Sequence, residues 1–178
     1  MGLVRMVPLL ALAIACGGGG TPVTTTTTAT PTTTPSTPAL PKVLVLVDAE
    51  GVGLGGYDPI AYGKHDAPFK GKPAHASQFA GATYRFMSTD NKAAFDADTA
   101  KHAPQYGGYC AFAASQNRLS DSDPTVYQIV DGQLLVFTNE SYKREFNADL
   151  AGNKAKADAN WPGLVAKHGK EVRGANLD

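Results

Sequence analysis

Val126-Tyr-Gln-Ile-Val-Asp-Gly-Gln-Leu-Leu-Val-Phe137 is the stretch from which the rest of the chain is read. Val126 to Val130 and Gln133 to Phe137 are rich in β-branched and aromatic residues. They flank Asp131-Gly132, a dipeptide that favours a two-residue hairpin turn because both of its residues tolerate positive φ. A tight antiparallel hairpin is therefore expected here. Upstream, Ser120 to Pro124 reads as a polar loop. Downstream, Asn139 or Ser141 can cap a helix in which Tyr142, Phe146 and Leu150 recur every four residues as one apolar stripe. A further helical stretch from Lys154 is expected to end near Trp161-Pro162-Gly163. Trp161, the only tryptophan, serves there as a lid on the core. The charged tail, 167–178, is expected to fray.

Moving towards the N-terminus, apolar and polar residues alternate from Ala74 to Phe79 and from Ala82 to Met87, on both sides of Ala80-Gly81. That period predicts a second hairpin. Ser88 or Thr89 can cap a helix from Asp90 to about His102, docked through Phe95 and ended by Pro104. Val43 to Val47 reads as a strand. The glycines at 51, 53, 55 and 56 break regular structure before Tyr57-Asp58-Pro59, where Asp58 is read as a turn former. The fold class these elements predict is α+β: a small single domain, residues 42–166, of short antiparallel hairpins packed on two or three helices.

The first 41 residues have another composition. Arg5 followed by the apolar run Met6 to Ala15 has the pattern of a secretory signal and is too short to span a bilayer. The run ends Leu12-Ala-Ile-Ala-Cys16, which resembles the lipobox of bacterial lipoproteins, with Ala13 in place of the more usual leucine. The resemblance implies a signal peptide over 1–15, lipid on Cys16, and anchoring in a bacterial cell envelope, on the periplasmic or outer surface. Residues 16–41, Gly-, Thr- and Pro-rich, cannot bury apolar surface and read as a disordered tether, whose threonines are open to O-linked sugar. The membrane is thus one expected partner. Lys plus Arg balance Asp plus Glu at sixteen each, which gives no electrostatic footprint for nucleic acid.

Between the two hairpins lies Lys101-His-Ala-Pro-Gln-Tyr-Gly-Gly-Tyr-Cys-Ala-Phe-Ala113, holding the second of the chain's two cysteines. If Cys16 is acylated, Cys110 is left unpaired in an oxidising compartment. Gly107 and Gly108 shape a turn, and Cys110 is expected at its edge, with Tyr106 and Tyr109 beside it.

Several motifs occur together and in order: Gly56-Tyr-Asp-Pro-Ile-Ala-Tyr62, Gly81-Ala-Thr-Tyr-Arg-Phe86, Phe95, Pro104-Gln-Tyr-Gly-Gly-Tyr-Cys-Ala111, Asp123-Pro124, Val130-Asp-Gly-Gln-Leu134 and Asn160-Trp-Pro162. In this the chain resembles YHS-domain proteins of bacterial envelopes over roughly Gly51 to Leu164. The wider YHS and TRASH families include metal-binding modules with three cysteine ligands. The resemblance places those ligands at Ala61, Met87 and Asn91, where this chain has no thiol. A trithiolate site is excluded there.

Three readings of Cys110 stand open. As a metal ligand, with His102, His75 and Met87, it suits a soft ion such as copper(I). As a redox thiol, tuned by Tyr106, Tyr109 or His102, it needs an external partner thiol. As a structural residue it is a small buried hydrophobe. The expected function is accordingly a lipid-anchored, non-enzymatic module binding a soft metal or another small ligand near Cys110. A thiol redox protein and a structural or interaction domain are the alternatives. Tyr106, Gly107, Gly108, Tyr109 and Asp58 are expected to shape the site. His65 and His168 are expected at the surface.

Overall fold

The structure, a computed structural model, describes residues 41–65 and 67–171. The signal-like run, Cys16, the tether and the end of the tail lie outside the described residues. Helices and two-stranded antiparallel sheets alternate in an α+β domain. In chain order these are β1 (Lys42–Val43), α1 (Ala61–His65), β2 (Lys72–Phe79), β3 (Ala82–Phe86), α2 (Thr89–Ala97) and α3 (Thr99–His102). There follow α4 (Ala111–Ser115), β4 (Asp123–Val130), β5 (Gln133–Phe137), α5 (Glu140–Ala148), α6 (Leu150–His168) and β6 (Lys170–Glu171). Among the described residues, no helix is long and apolar enough to cross a membrane.

The domain is built twice over. Each half begins with a short 3₁₀ turn in left-handed backbone, Leu54-Gly55-Gly56 in the first and Tyr106-Gly107-Gly108 in the second. A short helix follows, then a hairpin closed by two positive-φ residues, Ala80-Gly81 and Asp131-Gly132, the geometry that matches strand twist in a two-residue turn. Both hairpins slip register at the same place, between Lys72 and Ala76 and between Asp123 and Tyr127. Each leads into a capped helix, with the Ser88 hydroxyl accepting from Asn91 N–H and the Asn139 side chain accepting from Tyr142 N–H. An aspartate then interrupts both helices and caps the next, Asp98 through Lys101 N–H and Asp149 through Gly152 N–H. From the hairpins onward equivalent residues are 51 apart, as Phe86 and Phe137, Phe95 and Phe146, and Asp98 and Asp149.

Each half buries its own aromatic pair, Phe86 on Phe95 at 5.1 Å and Phe137 on Phe146 at 5.3 Å between ring centroids. All four rings are fully buried, each stabilising by about 2 kcal/mol relative to exposure. A third cluster joins the halves: Leu54 and Tyr62 pack on Leu134 and Val136. Tyr62 also stacks edge-on against Tyr127 and donates its hydroxyl to Pro124 O at 2.8 Å. The N-terminal segment crosses both, with Leu44 on the second-half core and Val45 and Val47 on the first.

Several expectations change at this point. Regular strand pairing covers only Lys42–Val43, against Lys170–Glu171, with a single bridge from Val47 to Gly53. The region expected to fray from Lys167 thus includes a helix end and β6. The helix expected to run unbroken to His102 divides at Asp98, whose backbone leaves the helical region at φ −156° and ψ 73°. The stripe Tyr142, Phe146, Leu150 is likewise divided at Asp149 between α5 and α6. Helix α6 continues through Pro162 to His168. Pro162 is exposed, while Leu164 beyond it is buried and Trp161 before it packs on Tyr106, so tertiary contacts on the inner face hold the helix through the proline.

Candidate functional site

Two places hold the residues on which chemistry was expected. The first is the start of α4. Cys110 N-caps this helix; its N–H donates to Ser120 O at 3.0 Å and its C=O accepts from Ala114 N–H. The side chain is 0% exposed and makes no capping bond. It lies in the apolar cluster formed by Tyr106, Ala111, Ala113, Ala114, Leu135, Phe137, Phe146, Ala157 and Leu164. Cys110 thus stands at the edge of the turn, as expected, but a helix begins at this residue and carries the thiol inward against β5 rather than to the surface. The neighbouring phenols are held protonated. Burial raises the Tyr106 pKa, helped by the Asp158 carboxylate that accepts its hydroxyl at 2.8 Å, and burial with Asp121 raises that of Tyr109.

The remaining members of the expected metal set lie on other elements. His102 ends α3, His75 is half-buried in β2, and Met87 follows β3 with its N–H on Asp58. Among the described residues no group of three or more His, Cys, Asp or Glu side chains is placed to hold a metal ion. Cys110, His102 and His75 do not form one. His65 and His168 are exposed, as expected.

The second place surrounds Asp58. Its carboxylate is fully buried and accepts Ile60 N–H at 2.9 Å, Met87 N–H at 2.8 Å and the Asn91 side-chain amide at 2.7 Å. Ala61 N–H donates to its backbone oxygen, and Lys64 Nζ donates to Asn91 Oδ1 at 2.8 Å. Asp58 is thus the turn former expected of it, and also ties α1 to β3 and α2. The three positions at which the family resemblance places thiolates, Ala61, Met87 and Asn91, do converge here, on the aspartate. Their donors do not fit a metal. Asn91 turns its amide N–H to the carboxylate and its oxygen to an ammonium, and Ala61 contributes a methyl group. A closed hydrogen-bond network occupies the place.

Beside this network opens a cleft of about 390 Å³ between the halves. Pro59, Ile60, Gly63, Lys64, Ala94, Lys101 and His102 line it from the first half, and Ile129, Gly132 and Leu134 from the second. Sequence reasoning placed His102 among candidate ligands but missed this grouping. No local pattern in the sequence brings these residues together, because they come from elements far apart in the chain. His102 has its pKa lowered by burial first and by Lys101 second, against an opposing pull from Asp98.

No family model, no curated protein and no solved structure matches this chain.

Proposed function

We propose that this chain is a YHS-like module of the bacterial cell envelope, lipid-anchored through Cys16, that binds a small ligand in the cleft between its halves and performs no covalent chemistry. One observation carries the reading: the cleft has preformed walls from both halves, whereas the Cys110 sulfur is sealed in an apolar cluster. Cys110 is accordingly a packing residue. The titratable lining of the cleft is limited to Lys64, Lys101 and His102, with no nucleophile set against a base. The family likeness supports the module's evolutionary source and not its ligand, since the thiolate positions are occupied by the Asp58–Asn91–Lys64 network.

The test uses the full chain carrying Cys16→Ser, so that Cys110 is the only thiol. A thiol reagent at neutral pH should label Cys110 at the rate of global unfolding, and copper(I) titrated against a competing chelator should bind this protein and its Cys110→Ala derivative equally. Labelling as fast as that of a free thiol, or a tenfold loss of copper(I) affinity on removing the sulfur, would overturn the packing assignment.

A further inference from the structure

The cleft between the halves has a charge pattern that specifies a ligand class, and the inference rests on the binding reading above. Its floor is apolar: Ile60 and Leu134 are 6% and 3% exposed, with Pro59 and Ala94 beside them. Its rim carries two lysine cations, Lys64 and Lys101, beside the His102 imidazole, with no carboxylate among the lining residues. We propose that the cleft binds an organic anion with an apolar body, the body on Ile60, Ala94, Ile129 and Leu134 and the charged head against Lys101, His102 and Lys64.

Three features support this assignment. Ile129 is 38% exposed and is one of two large hydrophobic side chains so exposed among the described residues, the other being Phe69. It stands at the edge of this cleft, where an apolar ligand would cover it. Lys101 and His102 make no side-chain hydrogen bond or ion pair among the described residues, so their donors are available. Lys64 is held by Asn91 Oδ1 through one bond, which fixes the ammonium at the rim and leaves further N–H donors for a ligand. The cleft also has room at its walls: a Cβ built on Gly63 or Gly132 meets no atom within 4 Å. Asp98 is the acidic group that acts on His102, and it caps α3 through Lys101 N–H rather than lining the cleft.

The experiment records amide chemical shifts of the full chain carrying Cys16→Ser during titration with four probes: octanoate, octyl phosphate, octylammonium and acetate. Octanoate or octyl phosphate should give saturable shifts at Ile60, Gly63, Ala94, His102 and Gly132, and the tighter of the two identifies the head group. Acetate lacks the apolar body and octylammonium carries a positive head in place of an anionic one, so neither should saturate. Lys101→Glu with His102→Gln should weaken octanoate at least tenfold, and Ile129→Ser several-fold, with thermal melting used to verify that both variants fold. Saturable octylammonium binding at the same amides, or unchanged octanoate affinity in the doubly substituted rim, would overturn the anion assignment while the cleft stayed a binding site. Absence of saturable shifts with every probe would overturn the cleft as the site altogether, without bearing on the Cys110 labelling result.

Discussion

Asp58 and Cys110 stand at the same point of the two halves. Each follows a left-handed turn that ends Gly-Gly-Tyr, each backbone N–H reaches across to a carbonyl in the loop before the next hairpin, Phe69 O and Ser120 O, and each side chain is fully buried. The surroundings then diverge. The first half aims three N–H groups at its position and holds a carboxylate, while the second offers alanine methyls, Leu135, Phe137 and Phe146 and holds a thiol. One backbone frame thus supports either a polar hub or a dry one, and the residue at the end of the turn is matched to the donors that the following hairpin and helix supply. The difference also explains where ligand chemistry is available. Neither hub is open, whereas the cleft between the halves is, and there the repeat is broken because Lys101 and His102 on one side correspond to Gly152 and Asn153 on the other.

The sharpest way to break this comparison is to empty both hubs. Asp58→Ala strands the N–H groups of Ile60, Met87 and Asn91 in a buried site, and should destabilise by about 3–5 kcal/mol in guanidinium unfolding. Cys110→Ala removes one sulfur from an apolar cluster and should cost about 1–2 kcal/mol. Equal losses would mean that the two hubs are not energetically distinct.

The paired turn glycines give the next largest contrast. Gly107 and Gly55 have nearly the same positive φ, 57° and 56°. A Cβ at Gly107 would collide with the backbone oxygen of Leu44, whereas at Gly55 its nearest neighbour is Pro124 Cγ at 3.4 Å. Gly55→Ala should therefore cost only the left-handed penalty of about 1 kcal/mol, and Gly107→Ala about 3 kcal/mol with displacement of the N-terminal segment. A Gly107→Ala protein as stable as Gly55→Ala would show that Leu44 can yield freely.

The smallest effect concerns the unmatched pair His102 and Asn153. The folded-state pKa of His102 is lowered, so the unfolded chain takes up a proton first as pH falls. Its stability contribution is present above pH about 6.5 and is lost as pH drops below that value towards the lowered folded pKa. Because His102 is only partly buried, solvent screening keeps the loss under about 1 kcal/mol. His102→Gln should remove that slope from stability measured between neutral and acidic pH, and an unchanged slope would assign it to other groups.

Much of the frame is legible in local sequence. Asp131-Gly132 names its own turn, Ser88 and Asn139 name their helix starts, and the alternation in Ala82 to Phe86 places Ala82, Tyr84 and Phe86 inward, as found. The duplication is also written in the chain, as Gly-Gly-Tyr at 55–57 and 107–109 and as the Phe, Phe, Asp spacing carried over by 51 residues. It is faint because the residues that would carry chemistry differ between copies, while those retained serve turns and ring packing. The cleft is not legible at all. Its lining comes from the segment before α1, from α1, α2 and α3, and from the second hairpin, and no local pattern brings Lys64, Lys101 and Ile129 together.

What the chain alone determined was set by short-range physics: which residues accept positive φ, which side chains cap a helix, and which faces alternate. These depend on neighbours within a few positions and survive any arrangement of the elements. The state of Cys110 and the existence of the cleft were decided only by tertiary packing. Burial of a thiol, and convergence of cations on an apolar floor, depend on which distant segments come to rest against them.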